Sequence, residues 1–123
     1  MFKTRKDQVI KPFCYSTGEQ VYELIGKSKH SGSSKKHSFS YAIIPTGCFS
    51  RAHYHREIEE TFYFIKGKGK MIVDDREFDV EPGDTFLIIP PEKHQIMNSR
   101  EANLEFIVVC SPAWNRNDSV FID

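Results

Sequence analysis

Turn-forming residues punctuate this chain at short, regular intervals, and that spacing constrains the fold more than any other feature. Gly67-Lys68-Gly69, Asp74-Asp75 and Pro82-Gly83-Asp84 separate short runs rich in β-branched and aromatic residues. No stretch of about 12 residues carries a clean helical period. The runs read as strands over Gln20–Ile25, Phe39–Pro45, Thr61–Lys66, Lys70–Val73, Arg76–Val80, Thr85–Ile89 and Leu104–Cys110. Asp74-Asp75 signals a hairpin, because Asp tolerates the left-handed backbone better than most residues. Arg76–Glu81 mixes charged and apolar positions, as a half-exposed antiparallel strand does. Many short strands with regular turns predict an all-β antiparallel sandwich or closed barrel.

Composition bounds the rest. A chain of 123 residues is one domain's worth, and its halves would be marginal on their own. The apolar share is 39%, with ten Phe and five Tyr, enough for a core. A charged share of 28% argues against disorder. Lys plus Arg and Asp plus Glu number 17 each, so the basic excess of a nucleic-acid binder is missing. No apolar run approaches the roughly 18 residues of a membrane span. Met1–Gln8 is charged with no apolar stretch behind it, so no secretion signal is expected. Cys14, Cys48 and Cys110 are odd in number and far apart, which excludes a disulfide framework or a Cys-x-x-Cys site. The expected compartment is the reducing cytoplasm. Cys48 and Cys110 read as small buried hydrophobes, and Trp114 as the residue that packs the tail.

Net zero hides an asymmetry. Residues 1–56 hold ten Lys/Arg against three acids, and residues 57–123 hold seven against fourteen. Either the halves pack side by side or they meet across a subunit boundary. Residues 27–37, rich in Ser, Lys and His, read as a solvated loop.

His53-Tyr54-His55 is the first chemical signal. On a strand, positions two apart face the same way, so both imidazoles point to one side of a sheet. The short link Arg56–Glu59 lets Glu60 fold back beside them, and His94 follows the Pro90-Pro91 turn. Three imidazoles and a carboxylate suit a divalent first-row metal and disfavour magnesium or calcium. The alternative is two surface histidines on an edge strand, with Glu60 one of three neighbouring acids.

The spacing of these residues resembles a known family. Gly47, His53, His55, Glu60 and Gly67 stand five, one, four and six residues apart, as in the first cupin motif. Gly83, His94 and Asn98 stand ten and three apart, as in the second. Ile89 and Pro91 depart from the Pro and Gly that the second motif carries there, so the turn before His94 is expected to differ. The chain resembles a small single-domain cupin, of the kind described as mannose-6-phosphate-isomerase-like. The resemblance implies a jelly-roll barrel over residues 1–123, with an N-terminal strand segment over about 1–36 and a motif core over 47–98. It implies one divalent first-row metal per chain (Zn, Fe, Mn or Ni), held by His53, His55, Glu60 and His94.

Strand parity sketches the pocket. An unbulged strand puts Arg51 on the same face as His53 and His55, where it would hold an anionic substrate or form a rim salt bridge. Phe62 and Phe64 share Glu60's face, as cavity wall or plain core, and Ile96 and Asn98 share that of His94. Asn98 reads as a structural hydrogen bonder. Tyr54 and Tyr63 point outward, and Phe39 and Tyr41 share one face of unassigned side. Tyr41 and His37 are further candidates for the surroundings of the metal. Two functions fit. One is an enzyme on a small oxygenated metabolite, a sugar or sugar-phosphate isomerase or epimerase, or a dioxygenase, with Glu60 and Arg51 as catalytic residues. The other is a non-catalytic small-molecule-binding or sensing module. A homodimer is expected, through sheet edges or an exchanged Val9–Tyr15 segment, with no nucleic-acid or membrane partner.

Overall fold

The computed structural model describes residues 1–9 and 11–122. Among them are eleven strands: β1 Phe13–Cys14, β2 Gln20–Ile25, β3 Ser38–Ile44, β4 His53–His55, β5 Glu59–Lys66, β6 Gly69–Val73, β7 Arg76–Val80, β8 Thr85–Ile88, β9 His94–Met97, β10 Leu104–Ser111 and β11 Ser119–Phe121. No described helix is long and apolar enough to cross a membrane. All seven runs expected from the sequence are strands. Of the other four, β4 and β9 carry the histidines, β1 falls in the expected N-terminal strand segment, and β11, which was not expected, is three residues long, too short for a period-2 pattern to register.

The strands form two antiparallel sheets, in the orders β1-β2-β3-β10-β5-β8 and β11-β4-β9-β6-β7. β3 lies against β10, and β4 lies between β11 and β9, so the basic and acidic halves of the chain interleave. That is the side-by-side arrangement. Asp74 and Asp75 both take positive φ, 46° and 68°, at the β6–β7 hairpin. Such angles match the right-handed twist of the paired strands.

The core lies between the sheets and follows strand parity. Ala42 and Ile44 of β3, Phe64 of β5 and Phe106 of β10 meet Met71 of β6 and Ile96 of β9, all buried. Each large side chain so buried contributes about 1.5–3 kcal/mol. The opposite parity of β3 faces outward, which assigns Phe39 and Tyr41 to the outer side; the Tyr41 hydroxyl donates to Glu105 there. Cys110 is buried and Cys48 half-buried. The Trp114 backbone N–H donates to the Ser38 hydroxyl, which pins the tail to β3.

Candidate metal centre

Short hydrogen bonds join the two motif-bearing segments. The Gly47 N–H donates to the Asn98 carbonyl at 2.8 Å, and the Asn98 N–H to the Cys48 carbonyl at 3.0 Å. The Asn98 side-chain amide donates to the carbonyls of Ile44 and Ala102, each at 2.8 Å. Asn98 thus has the structural role expected of it. With these segments tied, His53 of β4 pairs directly opposite His94 of β9. His53 and His55 turn inward together, and Glu60 of β5 meets them from the other sheet. The peptide between Pro90 and Pro91 is cis, in the turn where the sequence departs from the motif.

Parity alone did not say which acid of the link turns inward. Glu57 and Glu59 are exposed, and Glu60 is buried. Asp118, in the 3-10 turn before β11, fixes the link by accepting from the backbone N–H groups of Glu57 and Ile58 at 3.0 and 3.1 Å. Its carboxylate also lies 3.3 Å from His55 Nδ1. The sequence carried no signal for this role, because Asp118 stands 63 positions from His55 in the chain.

The four expected ligands converge. Nε2 of His55 and of His94 lie 2.6 and 2.8 Å from Glu60 Oε1, and His53 Nε2 lies 3.8 Å from it. All four ligand atoms fall within 4.8 Å of one another. The close pairs are off the hydrogen-bond line: His55 Nε2, His94 Nε2 and Glu60 Oε1 are buried without a hydrogen-bond partner. A buried polar atom without a partner is costly, and three in one place call for a cation between them. The other ring nitrogens are engaged. His53 Nδ1 donates to the Arg51 carbonyl at 2.8 Å and His94 Nδ1 to the Glu92 carbonyl at 3.2 Å. With Asp118 on His55, these contacts leave each Nε2 as the free ligand nitrogen. Burial pushes the Glu60 carboxyl up, but His53, His55 and His94 outweigh it and hold the group well below the usual carboxylate range. Cys110 Sγ donates to the second Glu60 oxygen at 3.7 Å. Burial, with Glu60 beside it, pushes that thiol far up, so Cys110 is a protonated donor. The residues therefore fit a divalent transition metal by donor type and by geometry.

A cavity of about 620 Å³ opens on one side of this cluster, with His53, Glu60 and His94 in its wall. Phe62 and Ile96 line it as parity suggested, whereas Phe64 lies in the core. Arg51 is not among the lining residues; its guanidinium stacks on the Phe121 ring of β11 at 3.8 Å, and that ring lies 5.6 Å from the His53 ring. Tyr41 on the outer face and exposed His37 beside Ser34 are away from the cavity. The segment expected to be a solvated loop is mostly irregular and exposed; within it Lys29–Ser31 form a 3-10 turn capped by the Ser28 hydroxyl, and Ser28, His30 and Ser31 line the cavity.

Sequence reasoning missed Tyr15, Glu19 and Glu23, which also face the cavity. The signal was there: Glu19, Val21 and Glu23 share one parity. Two acids on that parity read as a solvent face, and only the second sheet shows it to be the inner one.

Two antiparallel sheets closed over a three-His, one-Glu cluster define a cupin-type barrel. A family model for the cupin domain matches residues 40–110, and the chain belongs to that family. It is 31% identical over 123 residues, 100% of this chain and 96% of the relative, to an uncharacterized protein of Methanocaldococcus jannaschii. Its structure is similar to a predicted oxalate decarboxylase of Thermotoga maritima, with TM-score 0.77 and 21% identity over 90% of this chain and 99% of that one. It is also similar to the polyketide cyclase RemF of Streptomyces resistomycificus, with TM-score 0.78 and 18% identity over 100% and 86%. At such identities these two show the fold alone, and their different chemistries illustrate how one fold hosts several.

Proposed function

We propose that this protein is a metal-dependent enzyme that acts on a small oxygenated metabolite. His53, His55, Glu60 and His94 would hold one divalent first-row transition metal per chain, zinc, iron, manganese or nickel. The observation that carries this reading is the convergence of three partnerless buried ligand atoms at the wall of a 620 Å³ cavity. A metal there supplies Lewis acidity toward a carbonyl or hydroxyl. The chain's own residues enclose the ligand, keep water out with Phe62 and Ile96, and offer hydroxyls from Ser38, Ser40 and Ser50 to a molecule rich in oxygen. Sugar or sugar-phosphate isomerisation or epimerisation and dioxygenation are the reactions to assay. Glu60 is the expected catalytic ligand; its second oxygen accepts from the Cys110 thiol. The expected part of Arg51 in catalysis or anion binding is tested by Arg51→Ala.

Metal analysis of protein purified without a His-tag tests the reading. The expected result is about one equivalent per chain, lost on His53→Ala or His94→Ala. Iron or manganese directs assays to oxygen consumption, and zinc or nickel to isomerisation. No metal, and none taken up on reconstitution, would overturn the enzyme reading in favour of a non-catalytic binding module.

We also propose a homodimer. β1, from the segment expected to exchange, pairs with its own chain's β2, Phe13 opposite Val21. Ile10 lies outside the described residues. The support is instead the outer face of β5 and β8, where Tyr63, Ile65, Leu87 and Ile89 are exposed together, Leu87 at 59%. Gel filtration should give twice the 14.3 kDa chain mass. A monomer that persists at high concentration would remove the proposal.

A further inference from the structure

The turn between β1 and β2 brings two titratable residues, Tyr15 and Glu19, to the cavity beside the four ligands. It runs from Tyr15 to Glu19 and is closed by the Tyr15 N–H donating to the Glu19 carbonyl at 2.9 Å. Gly18 makes it possible, with φ +102°; a Cβ there would sit 2.3 Å from Cys48 Sγ. The Phe49 N–H donates to the Thr17 carbonyl at 3.2 Å, and Gly18 bridges Phe49. The turn is therefore fastened to the segment that leads into His53. Its two ends, Tyr15 and Glu19, both point into the cavity whose wall holds His53, Glu60 and His94. No ion pair or side-chain hydrogen bond occupies Glu19 among those described, and it is not one of the clustered ligands.

We propose that Glu19 is the proton-transfer group of this cavity, touching the bound molecule on the side left open by the ligand cluster, with Tyr15 beside it as a neutral hydrogen-bond donor. The inference rests on the metal reading and deepens it. Burial pushes the Glu19 carboxyl up to about 7, with His53 of β4 drawing it down and Glu60 of β5 adding to the rise. Burial pushes Tyr15 to about 12, with Glu19 and Glu60 adding and Arg51 and Arg116 opposing. A carboxyl near neutrality gives and takes protons with least driving force wasted. A phenol held so high stays protonated and donates. Glu23, the other missed acid, faces the same cavity but accepts from the Ser31 hydroxyl at 3.1 Å, so it is already engaged.

The test uses the full chain loaded with cobalt(II), with azide as the probe and proton uptake on azide binding as the readout. Calorimetry in buffers of different ionisation heats counts the protons. Wild type should take up close to one proton near pH 7.5, as the carboxylate facing the azide is neutralised. Glu19→Gln should take up far less and bind azide about tenfold tighter at pH 8, since a facing negative charge is gone. Glu23→Gln should behave as wild type. Gln is isosteric with Glu and removes a charge that is costly to bury, so the fold is not at risk. Equal proton uptake and azide affinity in wild type and Glu19→Gln would overturn the inference and leave the metal reading standing. Failure of the wild-type chain to bind cobalt would overturn both.

Discussion

The two ends of the barrel are made from the same strands and carry opposite chemistry. Across β3, β10 and β5 the inward residues stand in register. At one end Ile44 pairs with Leu104, and Ala42 with Phe106, which in turn pairs with Phe64. At the other end Ser40 pairs with Val108 and Ser38 with Cys110, which faces Glu60. All of these point inward by the same parity. The first group is a dry core; the second borders a cavity and a ligand cluster. Inward parity therefore does not mean core, and position along the strand decides. The dry end carries stability, so the wet end is free to hold buried polar atoms that lack partners.

The comparison breaks if substitutions at the two ends have the same effects. The largest contrast is at the ligands. His55→Ala or His94→Ala should reduce metal content, measured by mass spectrometry, from about one per chain to background. The metal-free variants should unfold in urea within about 1 kcal/mol of metal-free wild type, because no satisfied contact is lost at Nε2. Phe106→Ala at the dry end should cost about 3–5 kcal/mol by urea unfolding, with metal still bound while folded. Asp118→Asn should weaken metal affinity about 10–100-fold by competition with a chelator, because His55 loses the contact that orients it.

A pH effect belongs to the wet end alone. Folded Glu19 titrates near 7 against an ordinary 4.5, so the folded chain holds a proton that the unfolded chain releases. Metal-free protein should therefore lose stability as pH rises from about 4.5 to about 7. Glu19→Gln should flatten that slope and melt a few degrees higher at pH 8, by calorimetry. The smallest effect is expected at Arg51. Arg51→Ala should leave metal content unchanged and weaken binding of inorganic phosphate; binding equal to wild type would remove Arg51 from the site.

Much of this was legible without the fold. The hairpins were fixed by local chemistry, as the positive φ of Asp74 and Asp75 shows. The strand runs followed from alternation, and the ligands from spacing along the chain. Parity placed Phe62, Ile96 and Asn98 correctly because it needs only one strand. Arg51 precedes β4, outside the strand's alternation, and stacks on Phe121, whose ring neighbours that of His53. Parity was silent on Asp118, whose role depends on a tail returning from far along the chain.

The sequence by itself determined the short strands and the tight turns, because each rests on backbone preferences local to a segment, and its resemblance to the two cupin motifs named the four residues that gather at one end. Tertiary structure decided which faces are inner, so that Glu19 and Glu23 line a cavity while Glu57 and Glu59 meet water. It also decided what holds the ligands in place. Those outcomes depend on which strand lies opposite, and burial and electric field at a residue are set by neighbours that no local pattern encodes.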